Sequence, residues 1–351
     1  MKKTSDNGYF ITSPNHEMVS VEKAHFCTWN LPSGLEFLEV GMMILLQDAF
    51  ISNLKEPHCT PELVFKVFIP WYEGDKAFGD LFESLKEPDN ARFVFNEHIE
   101  HTDYIAASGS IPEGVILSFH DKQKFCLLPC GLSNDGSMQH TVLAKVEFPR
   151  KIDDRMKVGN RIYLRFFLKA NGRSISWEHG GIAKTTLCYD IKVNEPRNAP
   201  AKFPLEQMVD INSCYCLHVV PSTFECSLQD RAAIQSIRPL ESDGFSAYTE
   251  NISAIRSTIS PGDCLVVFNK LKKNNEDRSK RPFLFFTLFS KETIGPSQLV
   301  LAVCVNIVCS LLLKWSWKAS LVFLGGVGLT IAVFWLWNRF GARIRSTLGF
   351  A

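Results

Sequence analysis

Two apolar runs near the end of the chain stand apart from everything upstream. Pro296 to Leu313 is eighteen residues without a charge, Ala319 to Asn338 is twenty more, and the five residues KWSWK join them. At ~1.5 Å per residue the two runs make helices of roughly 27 and 30 Å, close to the hydrocarbon thickness of a bilayer. The pattern therefore predicts a transmembrane helical hairpin. Upstream the pattern is mixed. Ser33-x-x-Glu36 has the form of a capping box, and Leu35, Leu38, Met42, Leu45 and Ala49 follow at three- and four-residue steps, so a helix is expected from there to Pro57. Leu63 to Trp71 reads as a strand. Asp75 is placed to cap a second helix with Phe78, Leu81, Phe82 and Leu85 on one face, ended by Pro88, after which ARFVFNEH reads as strand.

From about residue 110 strand follows strand: GVILSFH, KFCLLPC, VLAKVEF, then RIYLRFFLK and SISWEH around Asn171-Gly172, a pair suited to a hairpin turn that needs positive φ. TTLCYDIKV closes the set at Val193. Pro196, Pro200 and Pro204 lie in a connector read as a domain boundary, beyond which come CYCLHVV, SLQDRAAIQSI, CLVVFN and PFLFFTLF. The expectation is an α+β fold, a β-rich cytosolic body followed by a C-terminal transmembrane α-helical hairpin. Its parts are a β-rich domain over 1–194 with an α/β segment at the N-terminus, a Pro-rich linker over 195–204, a second α+β domain over 205–292, and the hairpin with a basic tail over 293–351.

Charge orients the hairpin. Arg278, Lys280, Arg281, Lys291, Arg339, Arg343 and Arg345 flank its outer ends against only Lys314 and Lys318 in the connection, so both ends are expected in the cytosol, as for a two-pass protein of the bacterial inner membrane. The lysines at positions 2 and 3 are followed by no apolar run, so no signal peptide is expected. Net charge is +1, which gives no global attraction to duplex nucleic acid. The eleven cysteines show no regular framework and are expected as thiols of a reducing compartment, mostly in the core.

Few residue groups carry recognisable chemistry. Cys214, Cys216 and His218 alternate along a predicted strand and share a face, which makes them weak zinc candidates, with Cys126 and Cys130 the nearest further supply of ligands. Core packing explains small buried thiols equally well. Glu97-His98-Ile99-Glu100-His101 is the densest titratable cluster but lacks the His-Glu-x-x-His arrangement. No nucleophile elbow, Walker loop or kinase signature is present, and no cofactor or catalytic residue is assigned. The loop from Lys270 to Arg281 holds Lys270, Lys272, Lys273, Arg278, Lys280 and Arg281 against two acidic residues, a surface for anionic lipid or an anionic ligand. Within the first apolar run Ala302, Asn306 and Ser310 recur every fourth residue, and in the second Gly325, Gly328 and Ala332 form a notch. These stripes suit packing within one hairpin or lining of a pore.

A cytosolic body joined to the apolar pair between Pro296 and Asn338 resembles the layout of bacterial antiphage effectors that disrupt the inner membrane when a nucleotide signal binds. The resemblance is one of layout, carried by no sequence motif. It implies a sensor whose hairpin oligomerises into a ligand-gated pore in antiviral defence, with the lipid bilayer, copies of the chain, and a nucleotide or oligonucleotide as partners. A membrane-tethered hydrolase or nuclease is the alternative, and a membrane-tethered scaffold the second.

Overall fold

A computed structural model describes residues 8–54, 62–74, 78–106, 112–121, 123–146, 148, 159–170, 175–181, 184–201, 203–229, 233–241, 248, 264–273, 282–292 and 296–312. The strands in chain order are β1 (Gly8–Thr12), β2 (Val19–Asn30), β3 (Glu36–Leu46), β4 (Leu63–Phe68), β5 (Phe78–Asp80), β6 (Ile99–Ala106), β7 (Pro112–Phe119), β8 (Lys124–Leu127) and β9 (Cys130–Asn134). They continue as β10 (Thr141–Val146), β11 (Arg161–Lys169), β12 (Trp177–Gly180), β13 (Lys184–Val193), β14 (Ile211–Pro221), β15 (Glu225–Gln229), β16 (Ile234–Pro239), β17 (Cys264–Lys272) and β18 (Phe283–Glu292). The helices are α1 (Asp48–Leu54), α2 (Phe82–Leu85), α3 (Pro88–Phe95) and α4 (Pro296–Leu312).

The chain divides into two compact units, one of 1–180 with 185–291 and one of 181–184 with 292–351. In the first unit the strands form two sheets. The eight-stranded sheet runs β15-β18-β13-β1-β4-β10-β9 with β12 beside β13, and the ten-stranded sheet runs β16-β17-β14-β2-β3-β11-β8-β7-β6 with β5 beside β11. They pack face to face. Ile11, Phe65, Val67 and Val142 of the smaller sheet share a core with Phe26, Val40, Met42, Leu164 and Phe166 of the larger. The opposite face of the larger sheet is buried too, since Cys27, Trp29, Phe37, Met43, Tyr163 and Val219 lie under Leu81, Phe82, Leu85 and Ala91 of the α2–α3 segment and under Tyr248.

Burial on both faces explains where the sequence pattern misled. A strand covered on two sides carries an almost continuous apolar run, which periodicity alone does not separate from a helix. The stretch FLEVGMMILL, expected as helix, is therefore β3, paired antiparallel with β2 from Val19↔Leu46 to Asn30↔Glu36 and with β11 from Arg161↔Leu45 to Lys169↔Phe37. Of the expected Asp75-capped helix, Asp75 lies outside the described residues, Phe78 is in β5, and Phe82 and Leu85 are in the one-turn α2. Pro88 starts rather than stops a helix: it occupies the first turn of α3, where a missing N–H costs nothing, and ARFVF is helical. Asn96, in the left-handed region at φ 53°, ends α3 by donating its N–H to the Arg92 carbonyl at 2.8 Å. The strands flanking Asn171-Gly172 do not pair as a hairpin, because β11 joins the ten-stranded sheet and β12 the eight-stranded one; the turn itself lies outside the described residues.

Strands on either side of 195–204 share both sheets. β14 lies parallel to β2 from Ile211↔Val21 to Val219↔Trp29. At the end of β13 the Asn194 side chain accepts the Ile11 N–H at 3.0 Å and donates to the Val209 carbonyl at 3.2 Å, so the connector is fastened to β1 at both of its ends.

The membrane hairpin is corrected. The first apolar run does form a helix over its described residues, α4, and no helix among the described residues is long and apolar enough to cross a membrane. The second run lies outside the described residues. The fold class of a β-rich body followed by a transmembrane hairpin therefore gives way to a two-sheet β-rich fold with short helices. With the hairpin go the expected two-pass membrane topology, the inner-membrane location and the orientation read from the flanking charges.

Candidate functional site

The outer face of the ten-stranded sheet carries charge where an apolar surface is expected. Glu39 of β3 and Arg165 of β11 project from this face and are buried, the carboxylate completely. Arg165 Nε donates to Glu39 Oε2 at 2.9 Å, and one Nη donates to the same oxygen. The other carboxylate oxygen accepts the Tyr248 hydroxyl at 3.0 Å. Arg165 Nη1 donates to the Tyr163 hydroxyl at 3.2 Å, and that hydroxyl lies 3.0 Å from His25 Nδ1. Since the Tyr163 oxygen already accepts from a guanidinium, its own proton points to His25, which is then neutral with its proton on Nε2. Burial and the nearby guanidinium of Arg165 hold the His25 pKa well below its ordinary value, in keeping with that assignment. The result is one connected network of bonds from His25 through Tyr163, Arg165 and Glu39 to Tyr248, in which Arg165 donates to both neighbours and Glu39 accepts from both.

Strand register sets this geometry. His25 of β2 and Arg165 of β11 are both opposite Gly41 of β3, so their side chains rise on either side of a residue that has none. A Cβ at Gly41 would overlap the Tyr163 hydroxyl and lie 3.1 Å from Tyr163 Cζ. Glycine here lets the phenol cross β3 and reach the imidazole.

Beside this network lies a cavity of about 40 Å³ lined by Cys27, Trp29, Phe93, Arg165, Leu240 and Tyr248, among others. Its wall is mainly apolar: Leu217, Val219 and Val266 come from the sheet, and Phe93 and Val94 from α3. At its edge Arg238 of β16 donates to Asn96 Oδ1 at 2.9 Å and to Glu241 Oε1 at 3.2 Å, so one exposed guanidinium ties the last turn of α3 to the end of β16. Phe95 of α3 fastens the other side of the cover, 4.9 Å from the Tyr163 ring and 5.1 Å from the Phe125 ring. Burial, then the negative charge of Glu39, raises the Cys27 thiol well above its usual pKa, so it lines the cavity as a neutral SH.

A larger cleft of about 850 Å³ surrounds the turn between β9 and β10. Its polar groups already engage one another. Asp135 accepts the N–H of Ser137 at 2.9 Å and the Lys66 ammonium at 3.0 Å, Asn134 donates to the Gly74 carbonyl at 2.8 Å and accepts the Tyr72 hydroxyl, and His140 Nδ1 meets the Tyr72 carbonyl. We place the site at the smaller cavity, where apolar walls and charged groups converge.

The residues singled out in the sequence fall elsewhere. Cys214, Cys216 and His218 share one face of β14, as alternation predicts, but they point into the space between the sheets and are fully buried. His218 bonds Thr28 through Nδ1 at 2.8 Å and sits 3.6 Å from the Cys216 sulfur through Nε2, while burial lowers its pKa to about 3. Burial likewise pushes the Cys126 thiol up to about 12. Among the described residues no group of three or more His, Cys, Asp and Glu is placed to hold a metal. In the basic loop, Lys270 lies 5.3 Å from the Tyr215 ring centroid and Lys273 pairs with Asp210 at 2.7 Å, Lys272 ends β17, and Arg278, Lys280 and Arg281 lie outside the described residues. Ala302, Asn306 and Ser310 lie exposed on α4, and Gly325, Gly328 and Ala332 are outside the described residues. The Glu97–His101 cluster spans the start of β6, which begins at Ile99, with two exposed pairs, His120–Glu100 at 2.7 Å and His101–Asp103 at 2.9 Å.

No protein-family model matches this chain, and no curated protein matches it. The cavity and its charge network therefore stand on geometry alone.

A second buried carboxyl gives a pH dependence. Asp80, at the end of β5, accepts from the Cys130 N–H at 3.4 Å and its thiol at 3.3 Å, yet burial raises its pKa to about 6. An acid whose folded pKa lies above its unfolded value of about 3.9 holds a proton in the fold that the unfolded chain has released, so its contribution to stability falls as pH rises from about 4 to 6 and is level above. Asp80→Asn should remove that slope and raise stability at pH 7 by no more than about 3 kcal/mol. Urea unfolding midpoints of both proteins at pH 4.5 and pH 7 check this: the gap between them should widen with pH, and a constant gap would contradict the assignment.

Proposed function

We propose that the first unit is a ligand-binding sensor body and that its ligand enters the cavity between α3 and the outer face of the ten-stranded sheet. The observation that carries the reading is a fixed chain of buried charges forming part of the wall of an apolar cavity whose edge is fastened by exposed, exchangeable contacts. A site of this kind combines a rigid floor with a cover that can yield. Arg165, Glu39 and Tyr163 are locked by one another. The Arg238 to Glu241 contact is an exposed pair of the type worth only about 0–1 kcal/mol.

The chemistry of the described side chains favours binding over hydrolysis. Burial raises the pKa of Cys27, Cys126, Cys214 and Cys216 and lowers that of His25 and His218, in each case away from the thiolate or the poised base that nucleophilic catalysis uses. At about 40 Å³ the cavity is well below the roughly 300–1,000 Å³ of ordinary ligand pockets, so a nucleotide would require α3 to lift, whereas a small group fits beneath it.

Leu240→Trp should fill the cavity from its wall while leaving the Glu39–Arg165 pair intact. Purified without denaturant, the wild-type chain is expected to carry a small molecule that denaturation releases for mass analysis, and the variant to carry none. Equal small-molecule content in the two proteins would contradict the reading.

A further inference from the structure

The charges at the cavity identify the class of ligand. Arg165 is buried and each of its three nitrogens already donates to the protein, Nε and one Nη to Glu39 and Nη1 to Tyr163, so its charge is neutralised within the network. Arg238 is different. Its side chain is 39% exposed, and its carboxylate partner Glu241, 66% exposed, is held through a single contact of 3.2 Å. An incoming acid can take the place of Glu241 at little cost, because an exposed ion pair of this kind contributes little, and a guanidinium donates to two carboxylate or phosphate oxygens in a two-pronged fit. Below that guanidinium the wall becomes Trp29, Leu217, Val219, Leu240 and Val266, with space for roughly three water-sized groups at 10–15 Å³ each.

We propose that the cavity takes a small organic anion, its acidic head on Arg238 in place of Glu241 and its short apolar part against Trp29, Leu217 and Leu240. This rests on the sensor reading above and specifies what is sensed. Glu241 is then an internal competitor: it occupies the head-group position when the site is empty and swings into solvent when the site is filled. A ligand with charge but no apolar part leaves the cavity unfilled. One with an apolar part but no charge leaves the Arg238–Glu241 pair in place.

The test uses the whole chain and three probes by calorimetry at low ionic strength: butyrate, butan-1-ol with the same chain and no charge, and inorganic phosphate with charge and no chain. Butyrate should bind saturably, at least ten-fold tighter than either of the others. Arg238→Gln should weaken butyrate at least ten-fold, and Glu241→Gln should tighten it about three- to ten-fold by removing the competitor. A gain of affinity cannot arise from misfolding, so the second variant protects the first against that explanation. Butanol or phosphate binding as tightly as butyrate, or affinity indifferent to both substitutions, overturns the proposal. If the purified protein still carries a small molecule that Leu240→Trp excludes, such a result removes the anion assignment and leaves the cavity as a binding site.

Discussion

Arg165→Met is expected to destabilise the folded chain by about 3–5 kcal/mol, among the largest effects of any single substitution in the molecule. The reason is not that the ion pair is strong. Two charges taken out of water lose solvation that their mutual attraction only partly returns, so a buried pair is weak as a net source of stability. Removing one partner leaves the other charged and enclosed, which costs far more. After Arg165→Met the Glu39 carboxylate, completely buried, keeps the Tyr248 hydroxyl as its one side-chain partner among the described residues. Glu39→Met leaves the guanidinium of Arg165 equally stranded and should cost a similar amount. The double variant Glu39→Met/Arg165→Met removes both charges and restores apolar contact on a face already lined by Phe37, Met43 and Val219, so it should lie within about 2 kcal/mol of wild type. Urea unfolding of the four proteins measures the coupling directly. If the two single losses simply add in the double variant, the residues are not acting as a buried pair.

The second large effect belongs to a residue with no side chain. Gly41→Ala should destabilise by about 1–3 kcal/mol, because the new methyl occupies the position of the Tyr163 hydroxyl inside a sheet too well packed to move aside. Tyr163→Phe should cost about 1–3 kcal/mol for a different reason, since His25 Nδ1 and Arg165 Nη1 then lose a shared partner in a dry environment. Combining them should cost less than the sum, because the phenylalanine ring has no oxygen to collide with the methyl. The cycle should therefore show a coupling of at least about 0.5 kcal/mol of compensating sign, beyond the ordinary error of additivity. Strict additivity would mean that Tyr163 does not cross β3 at Gly41.

Much of the β framework was legible in the sequence, and the parts that were not share a cause. The runs TTLCYDIKV and CYCLHVV fall in strands of the structure, as do GVILSF of GVILSFH, VLAKV of VLAKVEF and FLFFTLF of PFLFFTLF. FLEVGMMILL did not announce itself as a strand because β3 is enclosed by a second sheet on one side and by α3 and Tyr248 on the other, which erases the period of two. The same enclosure held the missed signal. A single glutamate in FLEVGMM and a single arginine in YLRFFL are unexpected inside apolar runs, and two lone opposite charges in buried strands ask for each other. Tyr248, Arg238 and Asn96 gave no such sign, since their roles depend on where distant segments close over the sheet. The apolar run at Pro296 was legible as a helix. Its uncharged length was read as a membrane span, but no helix among the described residues is long and apolar enough to cross a membrane.

The cavity's role is tested most directly by the mass of the intact folded chain. Native mass spectrometry of the protein purified without denaturant, compared with Leu240→Trp and read to within a few daltons of the sequence mass, reports what each carries. The account predicts an additional mass of a small molecule on wild type, lost on collisional activation and absent from the variant, with both proteins unfolding cooperatively in urea. Wild type at its bare sequence mass, or an adduct carried equally by Leu240→Trp, would contradict the claim that the space under α3 is a ligand site.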